Sequence, residues 1–131
     1  MFYQLEQFES RLKELFDEVD DYLEETYGDR FPLHPSRAQR GTTSNKESNG
    51  LFNVGAAFSA GYGSKHGRGY VIDIEMVTLS VVSDEVEDEI ETAAVEYVRL
   101  KLPFYFPDRN LEVKRDRHTF KISGDLSLGL L

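Results

Sequence analysis

Gly61, Gly63, Gly67 and Gly69 surround Lys65, His66 and Arg68. This combination could hold an anion, because glycine lets backbone N–H groups approach closely while the cations neutralise charge. The spacing matches neither a P-loop nor a dinucleotide fingerprint, and the loop joins two strands instead of opening a helix. Ordinary turn chemistry would also call for those glycines. Basic character extends upstream through Arg30, Arg37, Arg40 and Lys46, so residues 30–70 carry six cations against Glu47 alone, a net +5. The remainder carries 9 basic and 23 acidic side chains, a net −14. The residues expected to bind an anion are therefore Arg37, Arg40, Lys46, Lys65, His66 and Arg68.

Other chemistries have thinner support. His34, His66 and His118 are the only histidines, and none is paired at metal-ligand spacing, so no metal and no cofactor is expected. His66 or His34 could act as general acid or base on a phosphate- or carboxylate-bearing substrate. Asp73 and Glu75 share one strand face, where they could hold a cation or pair with Arg37 or Arg40. No serine lies in a nucleophile elbow. Lys65, Arg68, Arg40 and Arg37, with Tyr62 or Tyr70 stacking, could bind nucleic acid locally. The acidic remainder of the chain opposes that. Arg68-Gly69-Tyr70 opens like the first RNA-contacting motif of an RRM, but Val71, Ile72 and Asp73 depart from it.

These residues need elements to position them. Leu5, Phe8, Leu12, Leu15, Val19 and Tyr22 recur at steps of three and four, which predicts a long helix over 1–28 ended by Gly28. The same stripe could serve as a homodimer seam. Asp20, Asp21, Glu24 and Glu25 stand at the helix end where the dipole disfavours them, and the basic segment is their expected partner. Residues 29–50, with Pro32, Pro35, Gly41 and Gly50, read as a long polar loop. Alternation over Phe52–Tyr62 and Tyr70–Met76 predicts a hairpin within 51–80, Tyr62 opposite Tyr70 and Phe58 opposite Ile74. Ser83 caps a second helix over 84–101 that Pro103 should stop. A hairpin over 111–123 turns at Asp116 and Arg117, with Val113 opposite Phe120 and Leu111 opposite Ile122. The apolar tail 124–131 is expected to dock.

Composition sets the outer bounds. At 131 residues the chain is the size of one domain, and 40% hydrophobic residues suffice for a core. With no cysteine there is no disulfide and no thiolate chemistry. No run of about 18 apolar residues predicts a membrane span, and the amino terminus does not read as a secretory signal. A cytoplasmic location is expected.

The expected architecture is α+β, a two-layer sandwich in αββαββ order with two long helices covering an antiparallel sheet of about four strands. The expected function is a small soluble binding or regulatory module whose basic segment meets an anionic small molecule or an acidic protein surface. An enzyme, a local nucleic-acid binder and a helix-mediated assembly protein are the alternatives.

Overall fold

The computed structural model describes residues 2–37, 50–61 and 67–126. Two helices and four strands follow in the order α1 (Phe2–Tyr27), β1 (Phe52–Ser59), β2 (Gly69–Met76), α2 (Asp84–Tyr105), β3 (Leu111–Asp116) and β4 (Thr119–Gly124). The strands form one antiparallel sheet in the order β1-β2-β4-β3. This is the expected α+β fold, and the helices cover one sheet face.

α1 forms because its apolar positions make one continuous stripe. Phe8, Leu12, Leu15, Phe16, Val19, Leu23 and Tyr27 are all buried, a face wider than a two-position seam. They meet Phe52, Tyr70, Ile72 and Ile122 from the sheet and Ile90, Ala94, Val98 and Leu102 from α2. Phe8, Leu12, Leu15 and Val19 of the expected homodimer seam are thus buried inside this chain. Gly28 donates to the Glu24 carbonyl at 2.9 Å, and a Cβ there would stand 2.3 Å from that oxygen.

Ser83 caps α2, its Oγ accepting from the Val86 N–H at 3.2 Å, with Asp84, Glu85 and Glu87 in the first turn. The helix does not stop at residue 101. Pro103 sits in its last turn, where it removes a single N–H donor, and the Phe106 N–H still closes on the Leu102 carbonyl at 2.8 Å. Aromatic contacts hold that extra turn on α1. Phe106 packs on Phe8 at 4.8 Å between centroids, and the Tyr105 hydroxyl donates to Glu18 at 3.1 Å.

Both hairpins keep the expected faces but shift in register. Phe58 pairs with Tyr70 and Phe52 with Met76, a slip of four from the expected pairing; β1 ends at Ser59. The second hairpin pairs Val113 with Ile122 and Asp116 with Thr119, so Arg117 and His118 make the turn, with Arg117 at φ 61°. Period-two alternation forbids only odd slips, so apolar patterning alone could not separate these registers. Of the apolar tail, Leu126 is buried and the Asp125 N–H donates to the Asn110 carbonyl; residues 127–131 lie outside the described residues. Among the described residues no helix is long and apolar enough to cross a membrane.

Glu18 joins the two helices. It accepts from the hydroxyls of Tyr97 at 2.8 Å and Tyr105 at 3.1 Å, with Lys101 at 3.6 Å, while Tyr22 stacks on Tyr97 at 4.4 Å. The Tyr97 bond, aided by Tyr105 and Lys101 and opposed by desolvation, holds the Glu18 carboxyl below its ordinary value. Burial, then the Glu18 carboxylate, pushes the Tyr97 phenol up to about 12. A raised phenol stabilises the fold below the unfolded value near 10 and loses that contribution as pH climbs toward 12. A depressed carboxyl stabilises above its unfolded value and loses that as pH falls through its folded one. Urea midpoints should therefore fall on both sides of neutrality. Tyr97→Phe should flatten the alkaline decline, and Glu18→Gln should lessen the acid one, at a cost of about 1 kcal/mol at neutral pH.

Candidate functional site

Among the described residues of the basic segment, Arg30, Arg37 and Arg68 do not gather into one patch. Arg37 is turned onto its own protein: Nε donates to the Gly50 carbonyl at 3.1 Å, and Nη2 to the Phe52 carbonyl at 3.3 Å and Asn53 Oδ1 at 3.1 Å. Opposite it, Glu24 Oε1 accepts from the N–H groups of Leu51 at 2.6 Å and Phe52 at 2.9 Å. One carboxylate and one guanidinium thus grip the start of β1 from two sides. Gly50 takes φ 76°, and a Cβ there would meet Glu24 Oε1 at 2.4 Å. Only glycine lets the carboxylate in.

Arg68 lies at the other end of β1, beside Gly69, which pairs with Ser59. Seven steps of strand separate Phe52 from Ser59, about 23 Å at 3.3 Å each, so Arg37 and Arg68 cannot share one small anion. Arg68 is exposed and has no ion pair among the described residues. Arg40, Lys46, Lys65 and His66 lie outside the described residues. Arg30 pairs with Glu89 of α2 at 3.3 Å, not with the acids of α1.

Close to Arg68, the buried Lys121 of β4 donates from Nζ to the Gly67 carbonyl at 2.7 Å and meets Asp116 at 2.9 Å. Lys121 is 2% exposed and Asp116 6%, on the sheet face away from the helices. Its stem runs where a side chain on Gly69 would stand, 2.6 Å from Cγ and Cδ. This strut holds the end of the glycine loop against the sheet.

The remaining candidates disperse. His34 sits in a tight local turn, its Nδ1 accepting from the Ser36 N–H at 3.1 Å, and His118 lies exposed in the β3–β4 turn. Asp73 and Glu75 flank the sheet face away from the helices, Glu75 accepting a long 3.5 Å bond from Asn53 Nδ2. Asn53 links Arg37 to Glu75. Among the described residues no group of three or more His, Asp or Glu side chains could hold a metal ion. Tyr70 offers no face to a base. It is 5% exposed, packs on Phe8 at 5.4 Å, and donates its hydroxyl to Glu9 at 3.0 Å.

A feature absent from the sequence reading is a groove of about 300 Å³ between α1 and β1. Leu12, Phe16, Phe52, Val54 and Ala56 form its apolar floor and wall, and Glu9, Lys13, Asp17 and Asp20 line its helix side. Burial and then the bond to Glu9 push the Tyr70 phenol in this groove up to about 12.

β1 is also an edge strand. The Val77 N–H donates to the Leu51 carbonyl at 2.7 Å, so odd-numbered residues of β1 bond to β2 and even-numbered ones turn their N–H and C=O outward. Glu24 and Arg37 satisfy the first outward rung, Phe52. Among the described residues nothing bonds the next three, Val54, Ala56 and Phe58. The sheet's other edge is guarded: Arg99 Nη2 donates to the outward Val113 carbonyl at 3.1 Å, and Glu112, Lys114 and Arg115 put charge along β3.

Comparison with known proteins adds kinship. A family described as "Uncharacterised protein" matches residues 3–124. The chain belongs to that family. An "Uncharacterized protein" of Borreliella burgdorferi (strain ATCC 35210 / DSM 4680 / CIP 102532 / B31) is 41% identical over 118 residues, covering 90% of this chain and 92% of that protein. No solved structure matches. The matched span runs from the start of α1 to the end of β4, so this family's shared unit is the whole αββαββ fold.

In this family member the acids at the end of α1 were visible as an oddity, and Glu24 resolves it by bonding backbone N–H groups. Glu24→Ala should cost about 2 kcal/mol, because two buried donors lose a charged acceptor. Arg37→Ala should cost about 1–2 kcal/mol by freeing the Phe52 and Gly50 carbonyls. Lys121→Met should cost about 3 kcal/mol by leaving Asp116 buried beside an apolar chain, and adding Asp116→Leu should recover most of that loss. Urea denaturation of each variant checks these values.

Proposed function

We propose that this chain is a small binding module that works through the groove between α1 and β1 and not through catalysis. The observation that carries this reading is the groove itself: an apolar floor, a charged rim and an open strand edge brought together on rigid elements, the usual composition of a recognition site. The titratable groups nearby serve the fold. Tyr70 bonds Glu9, Lys13 pairs with Asp17 at 3.4 Å, and Glu24 and Arg37 are committed to backbone groups.

A second reading keeps the anionic partner expected from the charge split. It is favoured by Arg68, exposed beside the braced end of the glycine loop and without an ion pair among the described residues. Arg37, spent on Gly50, Phe52 and Asn53, is removed from that role, so an acidic protein surface meeting Arg68 fits better than a small anion spanning both arginines.

Two-dimensional amide NMR of the intact protein separates these readings. The probes are nucleotides, sugar phosphates, polyphosphate, and short peptides of either charge. Shifts centred on Leu12, Phe16, Val54 and Ala56 are the expected result. Shifts confined to Arg68 and Gly69 on adding polyphosphate or acidic peptide would move the site to the basic loop, and a spectrum unmoved by every probe at millimolar concentration would overturn the binding reading.

A further inference from the structure

We infer that the open edge of β1 takes an extended peptide segment bearing basic side chains, which adds to the sheet as a fifth strand beside Val54, Ala56 and Phe58. This inference rests on the groove reading above and names its ligand class. An edge strand with vacant outward rungs is a template for strand addition, in which backbone bonds supply affinity and alternate side-chain positions supply selectivity. Among the described residues β1 has three such rungs in a row, and Val54, Gly55, Ala56, Ala57 and Phe58 include no lysine and no proline. Addition would stop at Phe52, whose N–H and C=O Glu24 and Arg37 already hold, so the edge accepts about five residues.

The charge of the occupant follows from what roofs the edge. Side chains of an added strand alternate between the two sheet faces, and those on the helix side enter the groove against Glu9 and the partly exposed Asp17, where Lys13, at 3.4 Å from Asp17, is the one cation among the described lining residues. Lysine or arginine at alternate positions meets those carboxylates and lays its methylene stem on Leu12 and Phe16. Phe58, 57% exposed and set edge-on to Tyr70 at 5.6 Å, continues the apolar floor beneath the ligand. A second copy of the chain fits this site poorly. β1 carries no cation to offer α1, and two chains of net charge −9 repel. The same field draws a basic segment in.

The test is amide hydrogen exchange on the intact protein with two probe peptides, acetyl-Val-Lys-Val-Lys-Val-Lys-amide and its glutamate counterpart. With the lysine peptide, the outward N–H groups of Val54, Ala56 and Phe58 should exchange about tenfold slower or less, and the glutamate peptide should leave them unchanged. Ala56→Pro removes one outward donor at a position where an edge strand tolerates proline, and it should abolish binding. Asp17→Lys should weaken lysine-peptide binding about tenfold. Unslowed exchange at millimolar lysine peptide would overturn the inference, and this result needs no variant to fold. Equal binding by the Asp17→Lys protein would overturn the charge assignment. Exchange already slow without peptide would also overturn it, showing a second copy if protection rises with protein concentration and the chain's own cover if it does not. Groove resonances that respond to the glutamate peptide alone would reject the basic ligand and keep the groove reading, whereas failure of every probe would reject both.

Discussion

The Glu24 carboxylate reaches from the last turns of α1 to the N–H groups of Leu51 and Phe52, and much of the layout is referred to this contact. Each bond is charge-assisted and partly buried, of the kind worth about 1.5–3 kcal/mol. The bond fixes the start of β1 along α1, and the Val77 N–H on the Leu51 carbonyl carries that position into β2. Arg37 closes the other side by taking the Gly50 and Phe52 carbonyls. The chain can enter the sheet here only because Gly50 adopts a left-handed φ and leaves room for the carboxylate.

The same contact explains how charge is used. An acid near a helix C-terminus is unfavourable to the dipole, and Glu24 is placed there because it has backbone donors to satisfy. Of the basic segment, conspicuous in sequence, the described Arg37 and Arg68 stand at opposite ends of β1 and do different work. Arg37 organises one end of the strand, while Arg68 stays exposed at the other beside the Lys121 strut. Net charge of a segment measures its average field, and a strand about 23 Å long is enough to separate its ends beyond a Debye length at physiological salt.

Among the described residues the two sheet edges are unequally protected. Along β3 the edge carries charge and an arginine on its outward carbonyl; along β1, among the described residues, the guard stops after one rung. The groove beside that edge exists because α1 lies above β1 with Leu12, Phe16 and Val19 inward, which leaves Glu9, Lys13 and Asp17 projecting past the strand. The binding surface proposed at that groove needs no convergent nucleophile or metal set.

The local elements were legible in the sequence. The three-four spacing of α1, the Ser83 cap of α2, the alternation in all four strands and the αββαββ order follow from periodicities that burial imposes on any amphipathic element. The buried faces were legible too, since period-two alternation survives even slips. Tertiary structure alone decided the rest. Registers differing by two or four residues bury the same faces, and for β1 the contacts of Glu24 and Arg37 from outside the hairpin fix where the strand begins. The last turn of α2 persists past Pro103 because Phe8 and Glu18 of α1 hold it, a long-range gain exceeding one lost hydrogen bond. The strand order β1-β2-β4-β3, the separation of Arg37 from Arg68 and the groove of Glu9, Asp17 and Val54 unite residues far apart in the chain, and a linear pattern carries no record of such distances.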